Sequence, residues 1–265
     1  MADAKQQYPK VVFSLNRSLD KKWLCLFLQR RSMRNHILAT NPNLPLFLKS
    51  ARTEEAAVSA YVNDFYREHE EAMKRLVQRL QTEWSKTNDK VMEGLEEIME
   101  KKWSKIGKMR AYLTLCSTAG RFLDSHEFQV TFMGKSINEM MSNVLHEITH
   151  FLYFDKWRDV FPEDKAQEFS NPHLIWTLSE ILVVPIDNDP RVRAYMASDP
   201  RIHPDHLRAV LNRNGAKLSL SQYFTWLYKR RILEQKVPFA DFLKEAREEI
   251  FGMRNELKTA NIPCS

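Results

Sequence analysis

The chain has 265 residues, 43% of them hydrophobic and 28% charged, which is enough apolar material for the core of one large globular domain or two small ones. A net charge of +6 and a pI near 9.1 permit weak attraction to nucleic acid or other polyanions. Cys25, Cys116 and Cys264 are an odd number without ligand-like spacing, so no disulfide framework is implied and reduced, mostly buried thiols are expected.

Met1 to Lys10 is polar and lacks an apolar h-region, and the longest hydrophobic run, Trp23 to Leu28, is far too short to cross a bilayer. A cytoplasmic protein without a membrane partner is expected. Tyr8 to Leu15, with Val11, Val12 and Phe13 at its centre, reads as a first strand. Ser18 then caps a helix through about Leu38, which stops before a turn from Pro42 to Pro45. From Thr53 to Ile106, Val58, Tyr61, Val62, Leu80, Trp84 and Leu95 recur at helical spacing with neither Pro nor an early Gly between them. The polar knot Ser85-Lys86-Thr87-Asn88-Asp89 leaves two readings open, one long helix or a helical hairpin. Ala111 to Ser117 and Phe128 to Met133 read as further strands, the second alternating Phe128, Val130 and Phe132 with Gln129 and Thr131.

Gly134-Lys135 separates that strand from Ser136-Ile137-Asn138-Glu139, a capping box that satisfies free backbone donors at a helix start. Ile137, Met140, Met141, Val144, Leu145, Ile148, Phe151 and Leu152 follow at helical spacing, in a segment without Gly or Pro. Within it lies His146-Glu147-Ile148-Thr149-His150. Histidines one turn apart on a helix have Cβ atoms roughly 5–6 Å apart, so both rings can reach one tetrahedral metal ion from the same side. Glu147 then lies beside the metal's open position, where it could take a proton from a water whose pKa the ion lowers towards ~7. At this chain's His and Glu frequencies an accidental H-E-x-x-H is expected in about two of every hundred such sequences. The competing reading is two partly exposed histidines on an ordinary core helix, but so apolar a helix leaves that reading little room.

This segment resembles the active-site helix of the zincin metallopeptidases, and the resemblance extends loosely to the strand before it and the helix after it. It implies Zn2+ held by His146 and His150, with Glu147 as general base in the hydrolysis of peptide bonds. Metzincins would continue as H-E-x-x-H-x-x-G-x-x-H, but Tyr153 stands at the glycine position and Lys156 at the last histidine, which excludes that subclass. Peptide deformylases add an upstream cysteine from a glycine-flanked strand, a pattern that Leu115-Cys116-Ser117 lacks. Gluzincins take a glutamate from a second helix downstream. Asn171-Pro172 reads as N-cap and first position of such a helix, running from His173 to Leu182 and ending near Pro185. Glu180 is its only formal charge, and a carboxylate among Leu178, Ile181, Leu182 and Val183 is costly to bury unless paired or bound to metal. The other reading is a helix whose polar edge, Thr177 and Glu180, faces water. Under the resemblance Glu180 is the expected third ligand, ahead of His173, Asp155, Asp159 and Glu168. The resemblance also implies that an extended substrate pairs along the edge of the strand from Phe128 to Met133.

Asp189 to Ala197, Pro204 to Asn212, Ser219 to Gln235 and Phe239 to Leu257 read as helices. His203, His206, Tyr153 and Tyr223 are candidates to stabilise an oxyanion, although the two histidines bracket a helix start and also read as solvent-facing caps. The clusters Arg30-Arg31 with Arg34, and Lys229-Arg230-Arg231 beside Tyr223, Phe224, Trp226 and Tyr228, make an RNA-binding face conceivable. Aromatics at this spacing are more often helix core, and nucleic acid is not the expected partner. The expectation is an α+β, zincin-like single domain over residues 1–265, mostly helical with a small mixed or antiparallel sheet. Its parts are an N-terminal strand and helices over 1–110, the sheet and metal-site helices over 111–185, and C-terminal helices over 186–265. The expected activity is that of a gluzincin-like zinc metallopeptidase, a hydrolase acting on a peptide or protein substrate. The alternative is a non-catalytic regulatory or nucleic-acid-binding protein on the same core.

Overall fold

The computed structural model describes residues 8–103, 107–117, 120–200, 202, 206–207, 210–213, 216–259 and 262. The fold is α+β, mostly helical with a small four-stranded mixed sheet, as expected from the sequence. The chain forms two compact units. One, the sheet unit, comprises Pro9–Asn88 and Ile106–Val144; the other, the helical unit, comprises the described parts of Met1–Tyr8, Asp89–Lys105 and Leu145–Ser265.

In the sheet unit the strands are β1 (Lys10–Leu15), β2 (Lys108–Thr114), β3 (Arg121–Phe122) and β4 (Glu127–Thr131), in the order β1-β2-β4-β3. β1 and β4 both run parallel to β2, and the short β3 runs antiparallel to β4. Parallel neighbours need a long crossover, and between β1 and β2 it consists of α1 (Arg17–Gln29), α2 (Arg31–Thr40), α3 (Leu44–Ser50) and α4 (Glu54–Met99). The expected substrate strand is corrected by this topology. β4 is flanked by β2 on one side, while on the other Phe128 pairs with Arg121, Glu127 with Phe122, and Gln129 N donates to the Gly120 carbonyl. That side of β4 is therefore taken from Glu127 to Gln129. β1 is an outer strand, and the Gln81 side chain of α4 covers part of it, accepting from Phe13 N at 3.1 Å and donating to the Val11 carbonyl at 2.9 Å.

The single helix read from Ser18 to Leu38 is two. Asn16, not Ser18, is the cap, its side chain accepting from Leu19 N at 3.0 Å, and Arg30 breaks the run in an extended conformation. The break is held by Arg34, which donates to the Leu28 carbonyl at the end of α1 (3.0 Å). Pro45, read as part of a turn, opens α3 instead, because a proline in the first helical turn loses no bond. The knot at 85–89 does not divide α4. Trp84 Nε1 donates to Asn88 Oδ1 at 2.8 Å, and the Ser85 and Thr87 hydroxyls return to the carbonyls of Gln81 and Trp84. These polar groups are satisfied inside the helix, so none of them competes with it.

Under these helices lies a core of Leu24, Phe27, Leu28, Val58, Tyr61 and Val62, reaching Leu115 and Cys116 beyond β2. Asp20, 1% exposed, is set beside it and accepts from Thr114 Oγ1 (2.5 Å), Tyr66 Oη (2.8 Å) and Leu115 N (3.3 Å). Burial pushes its carboxyl up to about 6, against the opposing pull of these three bonds. The protonated form is thus favoured on folding, so the stability it lends is complete below the unfolded carboxyl pKa and is lost as pH rises through the folded value. Relative to Asp20→Asn, the wild type is expected to lose about 3 kcal/mol between pH 4 and pH 8, read by urea unfolding. A pH-independent difference between the two proteins would refute this.

The helical unit contains the last turns of α4 and most of α5 (Ile137–Val160), a 3-10 turn (Ala166–Phe169), α6 (Leu174–Asp187) and α7 (Pro190–Arg193). These are followed by α8 (Leu220–Tyr228), which continues as a π-helix (Lys229–Glu234), then α9 (Phe239–Gly252) and α10 (Arg254–Thr259). α6 is buried almost all round, from Leu174 to Asp187, and packs on α8 and α9. Asp189 caps α7, holds Arg191 through two oxygens at 2.8 Å each, and accepts from Tyr228 Oη at 2.7 Å. The helix expected over Pro204 to Asn212 is present at His206 and Leu207 but is corrected at its end. Val210–Arg213 is β5, antiparallel to β6 (Ala216–Ser219). Arg213 pairs with Ala216, and the two intervening residues are Asn214-Gly215, a dipeptide that favours hairpins. No helix among the described residues is long and apolar enough to cross a membrane.

Candidate metal centre

α5 starts as its sequence predicts. Glu139 N donates to Ser136 Oγ at 3.2 Å, and Ser136 N donates back to Glu139 Oε2 at 2.8 Å, closing the capping box. Farther along, Leu145, Ile148, Phe151 and Leu152 are fully or nearly buried and fix the rotation of the helix. α6 begins later than expected. Asn171 and Pro172 lie in the turn before it, and His173 is the N-cap, its carbonyl accepting from Thr177 N. The helix also continues through Pro185 to Asp187, with Asn188 N bonded to the Val184 carbonyl. One lost donor at Pro185 is outweighed by burial of Val183, Val184 and Ile186.

The two helices bring His146, His150 and Glu180 together. His146 Nε2 and His150 Nε2 are 3.2 Å apart, the rings meeting edge to face with centroids at 4.7 Å. Glu180 spans the pair, Oε2 at 3.3 Å from His146 Nε2 and Oε1 at 3.3 Å from His150 Nε2. Donors about 2.0–2.1 Å from a common tetrahedral centre lie roughly 3.3–3.4 Å from one another. The spacing of the two Nε2 atoms is close to that edge, each has one Glu180 oxygen at a similar distance, and two imidazoles with one carboxylate are a donor set that suits a divalent transition metal. His146, His150 and Glu180 therefore form a group that could hold a metal ion.

Burial sharpens the electrostatics. His150 is fully buried, stacked on Phe154 at 6.0 Å, which itself stacks on Phe169 at 4.7 Å. Thr177 is 1% exposed and the Glu180 side chain 13%, so α6 does not present a solvated polar edge. Burial alone would raise the Glu180 carboxyl, but the imidazoles of His150 and His146 outweigh it and hold the group well below the usual carboxylate range. Burial opposes charge on His146 as well, yet Glu180, with Glu147 and Asp187 behind it, leaves that imidazole raised.

The other candidates are placed elsewhere or engaged otherwise. Asp155 pairs with Arg158 at 3.1 Å and Asp159 with Lys101 at 2.6 Å. Glu168 accepts from Lys165 N to open the 3-10 turn. Lys156, at the position of the metzincin histidine, donates to the Glu100 carbonyl at 3.2 Å. Cys116 belongs to the core of the sheet unit, where burial pushes its thiol up to about 12. Cys25 and Cys116 are free thiols, and Cys264 lies outside the described residues. Tyr153 is buried against Phe154 and Trp157, and burial alone shifts its hydroxyl, with no charge of the centre contributing. His203 is outside the described residues, whereas His206 is 2% exposed and so is not the solvent-facing cap it resembled. Tyr223, Phe224 and Tyr228 are core residues of α8; Trp226 is exposed, with Arg230 stacked on it at 5.4 Å, and Arg231 pairs with Glu245.

Glu147 lies beside His146 in sequence, is 5% exposed, and stands outside the group of ligand atoms, although its charge acts on both His146 and Asp187. Two residues unremarked in the sequence also belong to this neighbourhood. Thr149, fully buried between the histidines, donates to Asp187 Oδ1 at 2.7 Å, and burial pushes the Asp187 carboxyl up to about 7. Asp187 is two helical turns beyond Glu180 on the same face of α6, a relation that exists only because the helix continues through Pro185. Comparison with models of known protein families, with curated proteins and with solved structures finds no match to this chain.

Proposed function

We propose that the chain is a zinc-dependent peptidase of the gluzincin kind, with His146, His150 and Glu180 as ligands, Glu147 as general base, and a peptide or protein as substrate. The observation that carries this reading is the convergence of His146, His150 and Glu180, the two Nε2 atoms 3.2 Å apart and each with one Glu180 oxygen at 3.3 Å, beside a carboxylate that is not among the ligands. Three protein ligands leave one position of a tetrahedral site open, the arrangement of catalytic rather than structural zinc. When bound there, zinc supplies Lewis acidity, lowering the pKa of a water towards ~7 and polarising a carbonyl.

The chain's own residues account for the remaining steps. His146 and His150 present Nε2 from successive turns of α5, and Glu180 from α6 completes the set with a charge that offsets part of the cation's. Glu147 takes the proton of the attacking water on its carboxylate and delivers it to the leaving amine, so one group serves as base and then acid. The buried walls formed by Phe154 and Phe169 keep bulk water from the His150 side.

Zinc content of the purified protein, with hydrolysis of a mixed peptide library, tests the proposal. The expected result is about one zinc per chain, lost on replacing His146, His150 or Glu180 by Ala, together with zinc-dependent cleavage. No bound zinc and no thermal shift on adding it would overturn the reading. One zinc without cleavage would leave a metal-binding regulatory protein in its place.

A further inference from the structure

We infer that Asp187 is a positioning residue for His146, its Oδ2 accepting the Nδ1–H of that imidazole while Thr149 fixes the carboxylate through Oδ1. The inference rests on the zinc-ligand reading of the centre and extends it by one shell.

His146 Nδ1 and Asp187 Oδ2 are both buried atoms without a hydrogen-bond partner among the described residues. A buried donor and a buried acceptor left unmade are each costly, and such groups in folded proteins are almost always matched. The two side chains are neighbours. Asp187 is bonded to Thr149, which lies three residues beyond His146 on α5 and therefore on an adjoining face, and the charges of Asp187 and His146 act on each other. On α6, Asp187 shares its face with Glu180, so one side of that helix offers a ligand and, two turns on, an acceptor.

A ring that binds metal through Nε2 must carry its proton on Nδ1, and because that atom is buried the proton needs a fixed acceptor. Asp187 supplies it, and Thr149 explains why it stays in place. Oδ1 is occupied at 2.7 Å, which leaves Oδ2 to turn towards the imidazole. The bond would select the Nδ1–H tautomer, restrict rotation of the ring about χ2, and make Nε2 a better donor.

The test uses the full chain as wild type, Asp187→Ala and Asp187→Asn, with two readouts. Zinc affinity, measured by competition with a chromophoric chelator, is expected to fall about 10–100-fold in Asp187→Ala and to recover in part in Asp187→Asn, whose amide oxygen still accepts a hydrogen bond. Nitrogen-15 NMR of labelled histidine, recorded on zinc-free protein at alkaline pH where the ring is neutral, is expected to place the His146 proton on Nδ1 in the wild type. In Asp187→Ala it should redistribute to Nε2. Circular dichroism confirms that each variant is folded, and Asp187→Asn keeps the shape of the side chain if the alanine variant is not. Unchanged zinc affinity in a folded Asp187→Ala, or a wild-type His146 carrying its proton on Nε2, would overturn the inference. Failure of the zinc reading itself is distinguishable, because the tautomer is read without metal: no zinc binding with an Nδ1 proton that depends on Asp187 would sink the peptidase and leave the pairing standing.

Discussion

Glu147→Gln is expected to retain zinc at wild-type stoichiometry while peptide hydrolysis falls by ~10²–10⁴-fold or more. Glutamine preserves the size of the side chain and its capacity for hydrogen bonding, but it cannot hold a proton between attack and departure of the amine. The site geometry separates this outcome from loss of metal, since Glu147 is 5% exposed and lies outside the cluster formed by His146, His150 and Glu180. If the role assigned to Glu147 is right, the loss appears in kcat and kcat/KM together, because the carboxylate contributes in the transition state and not in binding the ground state. A variant that loses zinc as readily as His146→Ala would make Glu147 a ligand. A variant with undiminished turnover would remove it from the chemistry. Either result is decisive when metal content and rate are measured on the same preparation.

The histidine pair was legible in the sequence because a helix converts a spacing of four residues into a shared face, and no tertiary information is needed to see it. Glu180 was legible for a different reason. A lone carboxylate in an apolar helix demands a partner, and its partners proved to be the two imidazoles at 3.3 Å. The capping box at Ser136 and Glu139 was equally local and appears as read. What escaped depends on groups far apart in the chain or on competition between local signals. Asp187 has no sequence signature until α6 is known to continue through Pro185, and a proline read as a terminator hid it. Arg30 breaks α1 from α2 with a side-chain bond from Arg34 to a carbonyl that only the break exposes. The partly occupied edge of β4 could not be foreseen either, since β3 is only two residues long and carries no alternation to recognise.

Zinc removal and His150→Ala should act on stability through the same site, and the comparison between them is the sharpest test of where the metal sits. A ligand that binds only the folded chain, present at about 1,000 times its Kd, contributes ~4 kcal/mol. At about 2–4 °C per kcal/mol for a chain approaching this length, chelation is expected to lower the Tm by ~10 °C, and added zinc to restore it. His150 is the informative ligand to delete, because its ring is fully buried, packed on Phe154, and 3.3 Å from the Glu180 carboxylate. Removing it takes away a donor and a packing surface at once, and leaves Glu180 with one imidazole in place of two. His150→Ala should therefore melt below the chelated wild type, and added zinc should not raise it. Calorimetry with and without chelator reads both effects. A full zinc shift persisting in His150→Ala would place the metal elsewhere in the chain and would detach the paired histidines of α5 from any role in holding it.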